Sequence, residues 1–472
     1  MRVFAGIFAV TCLAVASIFE ARGEWIADQD YVKPKSAAVR QKLEQFRDWK
    51  IGLMFHFGVY SQAGITESWP LSDDDAHWSR SDIARKGDSD AFKKWYFDLS
   101  RGFDPSLFDP AEWADVAARN GFKYVVLTTK HHDGFCLYNS RYSDYGAAAS
   151  NCPFSVSGRA DIVRALFDAC RVRGLGIGAY YSKCDWHHDD YWENSGVGRR
   201  TCRATTYDTS KNMEKWNRFR QFTRNQILEL VSGYGPIDIL WMDGGWVRPS
   251  RGMDLNMAEI IEAARKITPG LISVDRAAVT EYENVLTPEQ FVPDRAVRVP
   301  WESCFTLSDG WGYHYDDGYK SVREIVHLLV DVVAKGGNLL LNVGPMPNGR
   351  LPRPAVERLD ALGMWLKKNG EAVYKTRLQE PCRSGRWAFT HSSEGRVFAI
   401  RLWKESESMM MRDELPVVTG RGCPRKVVHV ATGREVRMTV QEAIWNRMQR
   451  FVLCFDDDFV RDESADAFEL IY

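Results

Sequence analysis

The run Ile237-Asp-Ile-Leu-Trp-Met-Asp243-Gly-Gly245 decides the fold of this chain. Apolar residues lead up to one carboxylate, and two glycines turn the chain straight after it. A buried parallel strand that delivers a charge at its C-terminal end has this pattern. In a β/α barrel the catalytic groups sit at those strand ends. The plainer reading of Asp243 is a cap on the next turn, so the choice rests on the rest of the chain.

Strand-like and helix-like segments alternate over residues 50–375. Apolar runs at Ile51–Phe55, Tyr124–Thr128, Leu175–Tyr181, Ile237–Asp243, Leu271–Asp275 and Asn338–Val343 read as strands. Amphipathic stretches lie between them at Pro110–Asn120, Asp161–Arg173, Met213–Ser232, Met257–Ile267 and Val322–Ala334. This alternation predicts a parallel sheet with helices outside, and at this length a (β/α)8-like barrel is its natural closure. An open doubly wound sheet is the second choice. It lacks a Gly-x-Gly-x-x-Gly after the first strand. After Lys375 short β-type runs with polar turns, such as Trp387–Thr390 and Val397–Leu402, predict an antiparallel β-sandwich. The domains expected are a leader over 1–23, a barrel over 24–376 and a sandwich over 377–472.

Composition narrows the function. The 472 residues are 45% hydrophobic with a net charge of −1, so a large core is possible and nothing favours nucleic acid or an anionic membrane as partner. Arg2 followed by the apolar stretch Val3–Phe19 reads as a secretory signal, with Ala21-Arg-Gly23 near its cleavage point. The mature protein is therefore expected to be exported, periplasmic or secreted, with no membrane contact beyond the leader. Nine cysteines follow Cys12, an odd number with no Cys-x-x-Cys pair, which argues against a cysteine-built zinc site.

Polar groups cluster just past the expected strand ends. His56 follows the first, Lys130-His131-His132-Asp133 the second, Tyr180-Tyr181-Ser182 and His187-His188 the third, Asp243 the fourth and Arg276 the fifth. Two chemistries can use such a mouth. Metal-assisted hydrolysis has the ligand types, but adjacent histidines on a strand point to opposite faces and no HxH or HExxH spacing occurs. Glycoside hydrolysis needs two carboxylates. Asp243 is the natural first, with Glu67, Glu289 and Glu302 as candidates for the second. Glu289, in Thr287-Pro-Glu-Gln290, lies in a loop-like stretch, and Glu302 follows Trp301, an aromatic able to pack on a sugar ring.

The segments Gly52-Leu-Met-Phe-His56-Phe-Gly58, Lys130–Phe135, Tyr180-Tyr-Ser182, Leu240-Trp-Met-Asp243-Gly, Trp301-Glu-Ser-Cys304, Ser308–Tyr313, Lys335–Pro345 and Trp365–Tyr374 resemble the α-L-fucosidases of glycoside hydrolase family 29. The resemblance spans about residues 45–375. It implies a retaining hydrolase releasing L-fucose from a fucosylated glycan, with no metal or organic cofactor. Asp243 would be the nucleophile. His56, His131, His132, Tyr181, Trp241 and Arg276 would hold the sugar hydroxyls and the nucleophile. Glu67, Trp69, Glu302 and Trp311 complete the candidate contacts, and Phe57, Trp69 or Trp311 would wall the C5 methyl. Glu289 is the first choice for acid/base and Glu302 the second. The Thr-Pro-Glu-Gln context resembles the branch acting on α-1,3/1,4 linkages, whereas Phe57 stands where the family more often has Trp. Oligomeric state, linkage and cysteine pairing stay open.

Overall fold

The computed structural model describes residues 28–472 apart from 73–74, 81–88, 194–201, 277–278, 406, 408–411 and 443–448. The expected leader lies outside the described residues. Seven strands form one all-parallel sheet: β1 (Ile51–Phe55), β2 (Tyr124–Lys130), β3 (Gly176–Ser182), β4 (Ile239–Asp243), β5 (Ile272–Val274), β6 (Glu302–Thr306) and β7 (Asn338–Val343). Their order is β5-β4-β3-β2-β1-β7-β6, which leaves β5 and β6 as the two edges.

An irregular segment closes that gap. The Asn284 amide donates to the Ser273 carbonyl (2.9 Å), Leu286 to Pro300 (3.0 Å), Glu302 to Leu286 (2.8 Å) and Gln290 to Cys304 (3.0 Å). Residues 284–290 therefore serve as an eighth stave between β5 and β6, with parallel bridges at Leu286–Trp301 and Glu289–Cys304. Pro288 in its middle cannot donate a ladder bond, which suits a broken stave. Closure satisfies backbone groups that an open edge would leave bare.

Helix α1 (Ala37–Trp49) precedes the sheet, and helices cover its outside: α2 (Pro110–Arg119), α3 (Ile162–Val172), α4 (Met213–Gly233), α5 (Met257–Ile267), α6 (Val322–Ala334) and α7 (Arg353–Asn369). Their starts follow from local chemistry. Asp109 accepts from the amides of Ala111 and Glu112 ahead of Pro110, and Ser321 with Glu324 forms a capping box. Helix α1 departs from the outer ring and plugs the barrel floor. Its Val39, Leu43 and Phe46 pack with Tyr124, Val126, Ile239, Trp241 and Leu340 from the barrel interior. Gly52 on β1 makes room there, since a Cβ would lie 2.3 Å from the Tyr124 ring. No helix among the described residues is long and apolar enough to cross a membrane.

The C-terminal strands are β8 (Thr376–Ser384), β9 (Trp387–Ser392), β10 (Val397–Leu402), β11 (Arg412–Leu415), β12 (Lys426–His429), β13 (Glu435–Glu442), β14 (Gln449–Cys454) and β15 (Ala465–Ile471), ordered β11-β14-β13-β12-β15-β10-β9-β8. Strand β13 pairs with β12 at its start and with β14 over its remainder, so it hands the chain from one layer to the other. Trp387, Phe389, Phe451, Leu453 and Phe468 fill the core between. The layers seat on α6 and α7: the Trp365 indole donates to Ala465 O (2.8 Å), and Arg383 pairs with Asp331 (2.9 Å).

Lys50 ends α1 at the barrel floor, fully buried, with φ 65° and no hydrogen-bond partner for its amine. Burial, and then the nearby Arg377 and Arg47, push its pKa down to about 7. Between that value and the ordinary lysine range the unfolded chain holds a proton that the fold rejects, so stability rises with pH across this window. Lys50→Met should raise the melting temperature by several degrees near pH 6, and the gain should shrink as pH approaches 10. A gain that stays constant from pH 6 to 10, followed by thermal unfolding, would refute the buried-amine account.

Candidate active site

Side chains on a strand alternate between faces, and the inward set at the C-terminal ends of the barrel strands builds one cleft of about 340 Å³. β1 continues into His56, β2 into His131 and His132, β3 brings Tyr180, β4 brings Trp241 and Asp243, and the turn after β5 brings Arg276. Glu289 enters from the broken eighth stave, Glu67 and Trp311 come from loops, and Trp69 opens a short 3₁₀ turn.

Arg276 joins the two carboxylates. Its Nη1 lies 3.2 Å from Asp243 Oδ1 and its Nη2 lies 2.6 Å from Glu289 Oε2. Asp243 also accepts from the Tyr180 hydroxyl (2.7 Å) and the Gly244 amide (2.7 Å). Burial alone would raise the Asp243 pKa; the Arg276 charge and these donors outweigh it and hold the group at about 2. Two backbone residues here take left-handed conformations without being glycine, Arg276 (φ 37°) and Glu67 (φ 38°). Such strain is concentrated where side-chain placement matters.

The imidazoles are neutral donors or acceptors. Burial pushes His56 and His132 down to about 4, and His131 well below its ordinary value. Asn342 donates through Nδ2 to the Trp311 carbonyl (2.6 Å), so its Oδ1 accepts from His56 Nδ1 (2.7 Å). Ser182 donates to the Cys184 carbonyl (2.8 Å) and so accepts from His132 Nδ1 (2.8 Å). The network thus assigns the proton to Nδ1 of His56 and leaves its Nε2 as an acceptor, whereas His132 Nε2 is buried without a hydrogen-bond partner. His132 Nε2 lies 3.7 Å from Asp243 Oδ2. Burial pushes Glu67 up to about 8, so it is a neutral acid at pH 7. Its Oε1 accepts from the Gly312 amide (2.6 Å), while Oε2 is buried without a partner.

Three expected contacts lie elsewhere: Tyr181, Glu302 and Phe57. Tyr181 faces outward, with its hydroxyl on Gln226 (2.9 Å) and Lys130 (3.1 Å), because Ser182 pairs with Asp243 and parity then turns Tyr180 inward. Glu302 is the first residue of β6 and so lies deep in the barrel, not at the mouth. It accepts from the Tyr124 hydroxyl and from the Trp241 indole (3.2 Å), does not line the cleft, and burial pushes it up to about 7. It supports Trp241 from below, which removes it as an acid/base and as a sugar contact. Phe57 packs on Phe103 and Trp113, away from the cleft, so the apolar wall falls to other residues.

Met54, Trp78, Tyr180, Arg203, Trp246 and Cys304 also line the cleft. Strand parity identifies Met54, Tyr180 and Cys304. Trp78 and Arg203 arrive on long connections that carry no periodic signal. Among the described residues no three His, Cys, Asp or Glu side chains are placed to hold a metal ion.

Two carboxylates bridged by one guanidinium, among neutral hydrogen-bonding rings, is an arrangement for hydrolysing a bond to a sugar. The α-L-fucosidase family model matches residues 18–371. The chain belongs to the α-L-fucosidase family. It is a glycoside hydrolase, 30% identical to human plasma α-L-fucosidase over 402 residues, which cover 80% of each chain. Among solved structures it matches α-L-fucosidase isoenzyme 1 of Paenibacillus thiaminolyticus at 28% identity and TM-score 0.75, covering 92% of this chain and 99% of that one. The Thermotoga maritima α-fucosidase in complex with fucose matches at 26% identity and TM-score 0.71, covering 95% and 99%.

Removing the guanidinium should release the Asp243 pKa. In Arg276→Met the acid limb of the kcat/KM–pH profile should move up by about 1–3 units. An unmoved limb would mean that Arg276 does not set the ionisation of Asp243.

Proposed function

We propose that this fucosidase is exo-acting and retaining, and releases terminal α-L-fucose from fucosylated oligosaccharides or glycoconjugates by double displacement. The observation that carries this reading is the Arg276 bridge, which ties Asp243 and Glu289 to the two ends of one guanidinium. Such a clamp supports the short spacing of a retaining pair, about 5–5.5 Å.

Asp243, ionised and held by Arg276 and Tyr180, attacks the anomeric carbon. The glycosidic C–O bond breaks as Glu289 passes its proton to the leaving oxygen. Water then attacks the fucosyl-enzyme while Glu289 takes a proton back, and the ester bond to Asp243 breaks to free fucose. Glu289 suits the second role because its side chain is about one-quarter exposed at the rim, within reach of water, whereas Asp243 lies deeper. The neutral imidazoles and the neutral acid Glu67 that line the cleft match a neutral, hydroxyl-rich sugar. The leader sequence supports export, and the Thr-Pro-Glu-Gln context of Glu289 supports α-1,3/1,4 linkages as substrates.

Asp243→Asn should lose at least about 10³-fold in kcat while remaining folded. Glu289→Ala should lose about 10²–10⁴-fold on a natural glycan. Azide should then restore turnover to Glu289→Ala and give the α-fucosyl azide, since the nucleophile survives. NMR of the product decides: β-azide, or no rescue, would remove Glu289 from the acid/base role. Faster release of L-galactose than of L-fucose from paired aryl glycosides would change the sugar but keep the mechanism.

A further inference from the structure

The polar inner end of the cleft is suited to one monosaccharide, and its outer end is built differently. Trp69, Trp78, Trp246 and Arg203 line that end. Trp69 packs against Trp78 (6.2 Å between centroids), Trp246 (5.8 Å) and His132 (5.3 Å), so an unbroken aromatic surface runs outward from beside Asp243. Its last ring, Trp78, is 54% exposed. An indole at the rim of a sugar cleft, continuous with the rings inside it, is the right group to cover the C–H face of a pyranose.

Arg203 is fixed against the inner rings of this surface. Its guanidinium lies over Trp69 (5.2 Å) and Trp246 (5.5 Å). Its Nε donates to Asp75 Oδ2 (2.9 Å) and its Nη2 to the Asp75 carbonyl (3.5 Å). Its own carbonyl accepts from the Trp246 indole (2.8 Å) and the Tyr191 hydroxyl (2.7 Å). A side chain held this firmly presents a donor with little ordering cost on binding. Asp75 already balances its charge, so the position suits a neutral hydroxyl or ring oxygen better than a sulfate or a uronic carboxylate.

We propose that Trp78 and Arg203 form a subsite for the sugar that carries the fucose, a neutral pyranose whose C–H face lies on Trp78 and whose oxygen accepts from Arg203. This rests on the fucosidase reading of the inner cleft and extends it to the aglycone. The subsite would make the enzyme selective for oligosaccharides over small leaving groups.

The test compares kcat/KM on a neutral fucosylated trisaccharide with kcat/KM on α-L-fucosyl fluoride, which has no aglycone ring. In the full-length Trp78→Ala variant the trisaccharide-to-fluoride ratio should fall about tenfold, and Trp78→Phe should recover most of it. A ratio equal to wild type, or a fall that phenylalanine does not recover, overturns the subsite while leaving the fucosidase reading intact. Better turnover of a sulfated trisaccharide than of the neutral one overturns the neutral-sugar assignment. A wild-type protein that hydrolyses neither substrate removes the fucosidase reading and the subsite with it.

Discussion

A buried Asp243 stays ionised only if a fixed positive charge lies with it, and here Arg276 is that charge. Without it Asp243 would be driven toward its neutral form by burial, and a neutral acid does not attack a sugar. The guanidinium reaches both groups only because its backbone takes a left-handed turn directly after β5. Its other target, Glu289, is carried by the stave that closes the barrel. Closing the barrel and presenting the second carboxylate are thus one structural event. A regular strand in place of residues 284–290 would close the sheet equally well, yet its side chains would follow strict alternation. The Pro288 break and the left-handed Gln290 (φ 56°) free Glu289 from that constraint.

Beneath the mouth a second layer of buried ion pairs fixes the loops. Lys130 pairs with Asp185 (3.1 Å) and Lys183 with Asp275 (2.7 Å), each nearly or fully buried. Pairs of this kind add little net stability, because desolvation offsets the attraction. Their use here is positional. Asp185 also accepts from the His187 and His188 amides, and Lys183 donates to the carbonyl of Asp275, next to Arg276. Breaking either pair would leave a buried charge and disturb the turns that aim the histidines and the arginine.

Much of this was legible in the sequence because strand ends in a parallel barrel announce themselves. An apolar run that stops at a polar group locates a residue at the mouth, and His56, His131, His132, Asp243 and Arg276 all follow that rule. The rule loses force where two similar residues stand side by side. Tyr180 and Tyr181 are chemically equal, and only pairing with β4 decides which faces inward. It gives no help for Glu302, which stands out only for its place beside Trp301 and begins a strand, Glu-Ser-Cys-Phe-Thr, with no apolar run, so its depth was hidden. Helix α1 has helical spacing in Val39, Leu43 and Phe46, but nothing local says that this face plugs the barrel floor. Loop residues such as Trp78 and Arg203 reach the cleft only through tertiary packing, which no local pattern encodes.

The charge state of the cleft also limits what it can bind and stabilise. Three imidazoles are neutral because burial disfavours their cations, and Glu67 is neutral for the same reason. At the inner end of the cleft strong formal charge is therefore confined to the Arg276 bridge, while at the outer end Arg203 is balanced by Asp75. A neutral sugar enters without meeting an unbalanced field, and its hydroxyls find oriented acceptors that need no reorganisation. In the proposed double displacement positive charge grows at the anomeric carbon as the glycosidic bond breaks, and Asp243, in a setting of low dielectric, is the anion placed to meet it. That places the largest electrostatic gain in the transition state rather than in the bound sugar, which is where binding energy accelerates a reaction.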